Sequence, residues 1–216
     1  MDKLKVAMIG VGDITSLHRP AYVDFEHAEL VALCDVDPEQ LARRAAEWGV
    51  ARTTTDHREL IGDPDIDIVE VNTPHHLHEP LVVEALDAGK HVACQKPIAT
   101  SVAEAERMIE AERRNPGRLR IFENFVFYPP YVRARALLED GEVGTPQTAR
   151  FKLGTGLFGS RWIPLRSELW HLMESEKGMG QAVFDDGYHK LSVAIHLFGP
   201  VASVKGFIDR SLAYID

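Results

Sequence analysis

The stretch LKVAMIGVGDIT, residues 4–15, contains the pattern that decides the fold. Its first six residues are mainly apolar, as in a buried strand, and two glycines separated by one residue follow directly. This order resembles the G-x-G-x-x-G turn that opens the first helix of a dinucleotide-binding βαβ unit, with Thr15 in the third glycine position. The N-terminus of a helix after such a turn binds a pyrophosphate. The residues predicted to lie against a cofactor here are Gly10, Gly12, Asp13 and Ile14.

Strand and helix patterns alternate beyond this turn and predict further βαβ units. Near-continuous apolar strands indicate a parallel sheet that is covered on both faces. Ser101 and Glu104 have the spacing of a helix capping box. We therefore expect an α/β fold, an N-terminal Rossmann domain with a doubly wound parallel sheet. The predicted strands are residues 4–9, 30–34, 66–71, 91–94 and 119–122, and the predicted helices are residues 38–48, 77–88 and 101–114.

Asp35 ends the second predicted strand, about 20 residues beyond the glycine turn. A carboxylate at that place accepts hydrogen bonds from the adenosine ribose hydroxyls and repels a 2′-phosphate. Asp37 would add to the repulsion, so the sequence favours NAD over NADP. The alternative is that Asp35 is only the N-cap of the helix that Pro38 opens.

The alternation of strands and helices changes near Asn124, where we place a domain boundary. Residues 1–124 are predicted to form a cofactor-binding Rossmann domain, and residues 125–216 to begin an α+β domain with a mainly antiparallel sheet. One helix and about two strands make a poor independent core. We expect this second domain to be truncated, the alternative being a partner that covers its exposed face. Its predicted helices are residues 129–139 and 181–198, its predicted strands are residues 147–153 and 201–208, and residues 154–180 are predicted to be a loop.

The composition restricts the possible partners. The chain has 216 residues, 45% of them hydrophobic, and a net charge of -9, which is ordinary for a globular protein. An acidic chain is poorly suited to non-specific nucleic-acid binding, because that binding neutralises phosphates. The sequence shows neither a signal peptide nor an apolar stretch long enough to span a bilayer. We expect a cytoplasmic protein without nucleic-acid or membrane partners, in which Cys34 and Cys94 are buried thiols.

A second informative stretch, residues 72–97, begins at the end of one predicted strand and closes with Gln95-Lys96-Pro97 after the next. The carboxyl ends of parallel strands are where ligands bind in an open α/β sheet. Three histidines follow Pro74, but neighbouring loop histidines point in different directions and no acidic or Cys ligand is clearly paired with them. A loop that lines the cofactor is therefore favoured over a metal site. The predicted cofactor-binding residues of this stretch are Asn72, Thr73, Pro74, His75, His78, Gln95 and Lys96.

Together these motifs resemble the glucose–fructose oxidoreductase / inositol dehydrogenase / MocA (Gfo/Idh/MocA) family. The chain departs from the family's usual E-K-P at Gln95. The resemblance implies an NAD(P)-dependent dehydrogenase that acts on CH–OH groups of a sugar, cyclitol or related polyol and forms a homo-oligomer through the sheet of its C-terminal domain. The resemblance rests on residues 10–12, 35, 72–78, 88–97 and 141–144 and on Asp185-Asp186-Gly187-Tyr188-His189, which is similar to the family's D-x-G-x-H active-site helix.

The resemblance implies that Lys96, Asp185 and His189 are the catalytic residues. Histidine titrates near neutrality, so His189 suits removal of the hydroxyl proton. Lys96 would stabilise the developing alkoxide, and Asp185 would orient the substrate or the imidazole. Asp185 and His189 are four residues apart and share one face of a helix. The alternative is that they form only a surface pair.

Six polar and aromatic residues are candidates for a sugar pocket, with ordinary packing as the alternative for each. They are Glu123, Asn124, Tyr128, Arg161, Trp162 and Trp170. Two other functions remain open from the sequence. One is an NAD-dependent glycoside hydrolase or lyase that oxidises the sugar transiently, and the other is a non-catalytic NAD-binding module.

Overall fold

The structure is a computed structural model that describes residues 2–152 and 187–207. The chain divides into two compact units, which we call unit 1 and unit 2. Unit 1 comprises Met1–Glu123 with Lys152–Tyr188, and unit 2 comprises Asn124–Phe151 with His189–Asp216.

Unit 1 is built on a six-stranded sheet in the order β3-β2-β1-β4-β5-β6, with every neighbouring pair parallel. β2 and β3 follow β1 towards one edge of the sheet, and the chain then crosses to the other side of β1, where β4, β5 and β6 follow in order. This is the predicted doubly wound arrangement, which the structure confirms. The strands are β1 (Leu4–Ile9), β2 (Ala28–Cys34), β3 (Arg52–Thr54), β4 (Ile68–Val71), β5 (His91–Cys94) and β6 (Leu119–Ile121).

Helices connect the strands and cover both faces of the sheet. Short 3-10 helices at Arg19–Tyr22, His75–Leu77 and Phe125–Phe127 adjoin them. In unit 1 the helices are α1 (Thr15–His18), α2 (Pro38–Trp48), α3 (His57–Ile61), α4 (His78–Asp87) and α5 (Val102–Arg114). In the second half of the chain they are α6 (Pro129–Glu139) and α7 (Gly187–Phe198), of which His189 and the residues beyond it belong to unit 2.

Local sequence explains where α5 begins. The Ser101 hydroxyl oxygen accepts a hydrogen bond from the Glu104 N–H at 3.3 Å, as predicted for an N-cap. The Glu104 carboxylate turns back to accept from the Thr100 N–H at 2.8 Å and from the Thr100 hydroxyl at 2.6 Å. The second half of the capping box therefore binds the residue before the N-cap.

The alternation of side chains along β1 creates two hydrophobic cores. Ala7 and Ile9 point to one face of the sheet and belong to the larger core, which α4 and α5 cover. Met8 points to the other face and packs in a smaller core with Leu33 and with Trp48 of α2. Because both faces of the sheet are covered, the last four residues of the central strand β1, Val6 to Ile9, are buried.

Several element predictions differ from the structure. β3 and α3 were not predicted, because β3 is a three-residue edge strand of polar side chains with no apolar periodicity. The strands predicted at residues 147–153 and 201–208 are absent from residues 147–152 and 201–207, the parts of them that the structure describes. A strand needs a hydrogen-bonded neighbour, and the described part of unit 2 contains none. The antiparallel sheet is therefore not confirmed.

None of the helices in the described ranges combines the length and the apolar composition needed to cross a membrane.

Candidate functional site

The glycine turn after β1 is held against the ends of the two neighbouring strands. Gly10 donates its N–H to the Cys34 carbonyl oxygen at 2.8 Å and has a φ of 84°. A Cβ added to Gly10 would lie 2.6 Å from the Asn72 carbonyl oxygen, so no larger residue fits. A Cβ added to Gly12 would meet nothing within 4 Å among the described residues. That open space beside Gly12 is where the glycine pattern places a pyrophosphate.

Thr15, in the third glycine position, is fully buried at the start of α1. Its hydroxyl donates to the Gly12 carbonyl oxygen at 2.5 Å, so the polar atom is satisfied within the turn. Asp13 and Ile14 are exposed on the outside of the turn. Asp13 lies 3.8 Å from the guanidinium of Arg44, measured from Oδ1 to Nη2.

Arg44 supports the glycine turn and was not predicted from the sequence. It is buried on α2, and its Nε donates to the Val11 carbonyl oxygen at 3.3 Å. Its guanidinium also binds Glu47 at 2.8 Å and lies 5.2 Å from the centre of the Trp48 ring. The sequence signal for this role was an arginine on the apolar face of an amphipathic helix, where a charged residue is unusual.

Asp35 connects the end of β2 to the glycine turn. One carboxylate oxygen accepts from the Val11 N–H at 2.8 Å and the other accepts from the Asp37 N–H at 2.9 Å. The alternative that Asp35 caps α2 is wrong, because Asp37 accepts from the N–H groups of Glu39 and Gln40 and is the N-cap. A carboxylate has about four acceptor positions, so Asp35 retains two for ribose hydroxyls.

Replacing Asp35 by serine is expected to weaken NAD binding about tenfold, because charge-assisted hydrogen bonds to the ribose are lost. The preference for NAD over NADP is expected to shrink as well, since the charge that repels a 2′-phosphate is removed. Titration calorimetry with both cofactors measures the two effects.

Asp37→Ser is the matched control for this variant, because serine removes the same charge and remains a good N-cap. We expect its affinity for NAD to stay within about twofold of the unmodified protein. Equal losses in the two variants would contradict the role of Asp35.

Asn72 and Thr73, which follow the end of β4, each carry a buried polar atom to which no described residue hydrogen-bonds. Asn72 is fixed by its backbone N–H, which donates to the Ile9 carbonyl oxygen at 2.8 Å, and by its side-chain NH₂, which donates to Glu70 at 2.7 Å. The Asn72 Oδ1 and the Thr73 hydroxyl oxygen are buried without a hydrogen-bond partner among the described residues. Unpaired buried polar atoms cost about 1–3 kcal/mol each, so they fit a site that a polar ligand completes. The ribose and amide of a nicotinamide nucleotide supply such groups.

The histidines after Pro74 have different surroundings. His78 is fully buried, with Nδ1 2.9 Å from the Pro97 carbonyl oxygen and Nε2 3.0 Å from the Thr73 carbonyl oxygen. It therefore ties the loop after β4 to the loop after β5. His75 is buried and contacts the His78 ring, with 5.6 Å between the ring centres. Within residues 2–152 and 187–207, no group of three or more His, Cys, Asp or Glu is arranged to hold a metal ion.

Lys96 follows the carboxyl end of β5, as predicted. Its backbone N–H donates to the side-chain oxygen of Gln95 at 2.8 Å. Gln95 is buried, and its own N–H donates to the Val71 carbonyl oxygen at 2.9 Å. The Lys96 side chain is half-buried, and the peptide bond to Pro97 is cis.

A buried carboxylate, Glu70, lies beneath these loops and was not predicted as part of the site. Only 1% of the residue is exposed, yet it accepts hydrogen bonds from His18 at 2.8 Å, from Asn72 and from the Tyr22 hydroxyl. Burial, followed by the negative charge of Glu70, raises the pKa of Tyr22 above its usual range, so the hydroxyl stays a donor. A charged residue within the apolar run of β4 was the available sequence signal.

Both cysteines are buried and free, as predicted. Burial, with the negative charge of Asp35 as the next cause, raises the pKa of Cys34 to about 11. Burial also raises the pKa of Cys94. Both side chains therefore remain thiols at neutral pH and contribute no nucleophile.

His189 is buried on α7 in unit 2, where its ring stacks on Phe125 with 4.2 Å between ring centres and 19° between planes. The Lys190 ammonium lies 4.4 Å from the centre of the same Phe125 ring. This stacking fixes the plane of the imidazole. Asp185 lies outside the described residues, so its predicted pairing with His189 is untested.

The predicted site residues are thus divided between the two units. Unit 1 brings together the glycine turn, Asp35, the loop after β4 and Gln95-Lys96 at the carboxyl edge of the sheet. His189 belongs to unit 2. Of the residues considered for a sugar pocket, Glu123 is in unit 1, and Asn124 and exposed Tyr128 are in unit 2. The remaining three, Arg161, Trp162 and Trp170, lie outside the described ranges.

Two family models match the chain. Residues 4–122 match the oxidoreductase family with an NAD-binding Rossmann fold, and residues 131–214 match the GFO/IDH/MocA C-terminal domain.

Relatives and a solved structure agree with these matches. D-apiose dehydrogenase of Paraburkholderia graminis is 32% identical over 210 residues, which cover 96% of this chain and 53% of the relative. Inositol 2-dehydrogenase of Acidothermus cellulolyticus is 37% identical over 149 residues, which cover 68% of this chain and 43% of the relative. The crystal structure of an oxidoreductase from Agrobacterium radiobacter in complex with NAD+, L-tartaric acid and magnesium is similar with a TM-score of 0.76 at 29% identity, covering 93% of this chain and 56% of that one.

The chain therefore spans about half the length of the proteins it matches. The two matched models cover most of it in the order seen here, Rossmann domain first. The chain belongs to the Gfo/Idh/MocA family of oxidoreductases, which the sequence motifs predicted.

Proposed function

We propose that this protein is an NAD-dependent dehydrogenase that oxidises or forms a secondary alcohol of a sugar, cyclitol or related polyol. The observation that carries the proposal is a pair of buried atoms beside the Gly10 turn, Asn72 Oδ1 and the Thr73 hydroxyl oxygen, which have no hydrogen-bond partner in the described part of the chain. Similarity to D-apiose dehydrogenase and inositol 2-dehydrogenase supports the class of substrate.

The residues at the carboxyl edge of the sheet would hold the cofactor along its length. Gly12 leaves room for the pyrophosphate, Asp35 accepts from the adenosine ribose, and Asn72 and Thr73 bind the nicotinamide half. NAD, when bound, supplies the hydride acceptor. The full proposed set is Gly10, Gly12, Asp13, Ile14, Asp35, Asn72, Thr73, Pro74, His75, His78, Gln95 and Lys96.

Lys96 and His189 have different roles at the substrate hydroxyl. The Lys96 ammonium hydrogen-bonds the reacting oxygen and stabilises its negative charge as the proton leaves. His189 accepts that proton at an imidazole nitrogen, and Asp185 orients the substrate or the imidazole. The backbone hydrogen bond from Lys96 to Gln95 and the stacking of His189 on Phe125 support these roles, because the first fixes the point from which the Lys96 side chain extends and the second fixes the plane of the imidazole.

The organisation of the whole protein follows the same proposal. Residues 1–124 bind the cofactor, and residues 125–216 belong to an α+β domain that contributes substrate contacts. The mainly antiparallel sheet of that domain would join subunits of a homo-oligomer, and we expect the protein in the cytoplasm.

Incubating the protein with NAD and a panel of sugars and cyclitols that includes D-apiose and inositol tests the function. We expect at least one compound to produce reduced cofactor, measured by its absorbance. Cleavage of a glycoside without net reduced cofactor would instead indicate the hydrolase or lyase. Cofactor binding with no turnover of any compound would indicate a non-catalytic module.

A further inference from the structure

A polar layer on one face of the sheet in unit 1 is hydrogen-bonded to the Lys96 backbone. Glu70 on β4 is opposite Ala93 on β5, and side chains two residues apart on a strand share a face. Gln95, two residues beyond Ala93, therefore points to the same side as Glu70. His18 of α1 bridges the two, with its Nδ1 2.8 Å from Glu70 and its Nε2 3.2 Å from the Gln95 side-chain nitrogen.

The Lys96 backbone fixes the orientation of the Gln95 amide. A backbone N–H only donates, so the Gln95 atom 2.8 Å from it must be the side-chain oxygen. The NH₂ of Gln95 then faces His18, and because NH₂ only donates, the His18 Nε2 must be the acceptor. The proton of a neutral His18 therefore sits on Nδ1 and is donated to Glu70.

Other groups around His18 agree with this assignment. Glu70 is the only acceptor facing Nδ1 in the hydrogen bonds seen among the described residues, and the Tyr22 hydroxyl donates to the other Glu70 oxygen. From the end of β6 the Phe122 ring packs edge-on against His18, with 4.6 Å between ring centres. The carboxylate is thus satisfied by three donors, and the neutral imidazole is satisfied on both nitrogens.

A second proton on His18 would break the chain of hydrogen bonds. Its Nε2–H would face the NH₂ of Gln95, two donors in contact. Turning the Gln95 amide over would satisfy His18 but place the NH₂ against the Lys96 N–H, again two donors. A carboxylate at position 95 would remove the conflict, because it accepts from both the imidazolium and the Lys96 N–H.

We propose that His18 is a positioning residue for Lys96, which in its neutral Nδ1–H form holds Gln95 in the orientation that anchors the Lys96 backbone. Position 95 and the protonation of residue 18 are coupled: glutamine requires a neutral imidazole, and glutamate requires an imidazolium. The role of Lys96 in the reaction rests on the proposed function, whereas the coupling itself does not.

Nitrogen-15 NMR of the His18 ring in the 216-residue chain tests the coupling. At pH 7 we expect a neutral ring protonated on Nδ1. In Gln95→Glu we expect a ring protonated on both nitrogens at the same pH, because the adjacent carboxylate accepts a hydrogen bond from Nε2–H. Gln147→Glu, which adds the same charge at an exposed position of unit 2, should leave the ring unchanged.

A ring protonated on Nε2, or an unchanged ring in Gln95→Glu, would overturn the proposal. Dehydrogenase activity of the protein gives a second test. His18→Phe should lower kcat about tenfold, and His18→Gln should recover most of it, because its side-chain oxygen accepts from Gln95 in place of Nε2. Full activity in His18→Phe would also overturn the positioning role. If neither the unmodified protein nor any variant reduces NAD, but the His18 ring responds to Gln95→Glu as expected, the proposed function is wrong. The coupling between position 95 and His18 is then still supported.

Discussion

Replacing Lys96 by methionine is expected to lower kcat by about a hundredfold to a thousandfold, the range seen when one donor to a developing oxyanion is removed. Methionine keeps the length of the side chain and removes only the charge and the donors. Affinity for NAD should fall much less, because Asp35, Asn72 and Thr73 remain. Steady-state kinetics with the best substrate of the panel, together with calorimetry for NAD, measures the two effects separately.

Lys90, at the amino end of the same strand, is the matched control. It is buried, and its ammonium donates to the Asp63 carbonyl oxygen and, at 2.8 Å, to the Ile66 carbonyl oxygen. Lys90→Met should lower the free energy of unfolding by about 2 to 4 kcal/mol, because two carbonyls lose their donor. The kcat of the molecules that remain folded should be unchanged. A kcat for Lys96→Met within tenfold of the unmodified protein would refute the proposed role.

Adding one methyl group at Gly10 or at Gly12 is expected to have two different consequences. Gly10→Ala should destabilise the fold by more than about 2 kcal/mol, because the residue has a positive φ and its Cβ would strike the Asn72 carbonyl. Gly12→Ala should fold normally, since its Cβ meets open space, but bind NAD at least about tenfold more weakly because the methyl group occupies the pyrophosphate's approach. Thermal unfolding without NAD and calorimetry with NAD measure the two effects.

Gly49→Ala separates backbone strain from cofactor binding. Gly49 ends α2 with a φ of 69°, and a Cβ there would meet nothing within 4 Å among the described residues. This variant should lose stability but bind NAD like the unmodified protein. If Gly12→Ala also binds NAD normally, the glycine turn does not hold the pyrophosphate.

Most elements of unit 1 were predictable, because they depend on neighbours in sequence. Apolar runs predicted β1 and β5 within their observed bounds, and the Ser101 N-cap predicted the start of α5. β3 was missed because its three residues are held by pairing with β2 and not by their own pattern. Strand pairing depends on residues far apart in the sequence, so the sequence of a short edge strand contains little that predicts it.

The same distinction applies to the site. The positions of Gly10, Asp35 and Lys96 at the ends of strands were predictable, because each follows an apolar run in the sequence. Arg44 was not, because its partner Val11 lies 33 residues away along the chain. His18 was missed for a similar reason, since it meets Glu70 across 52 residues and Gln95 across 77.

The sequence by itself determined the Rossmann fold of unit 1, the family and the edge of the sheet at which chemistry is expected, because hydrophobic periodicity, turn glycines and strand-end residues are local signals. Only the tertiary structure decided that Asp35 holds the turn while Asp37 caps α2, that two polar atoms after β4 lack partners among the described residues, and that His18 connects Glu70 to Gln95. Hydrogen bonds between residues distant in sequence depend on how strands and helices pack. The direction in which each side chain then points decides which donor meets which acceptor.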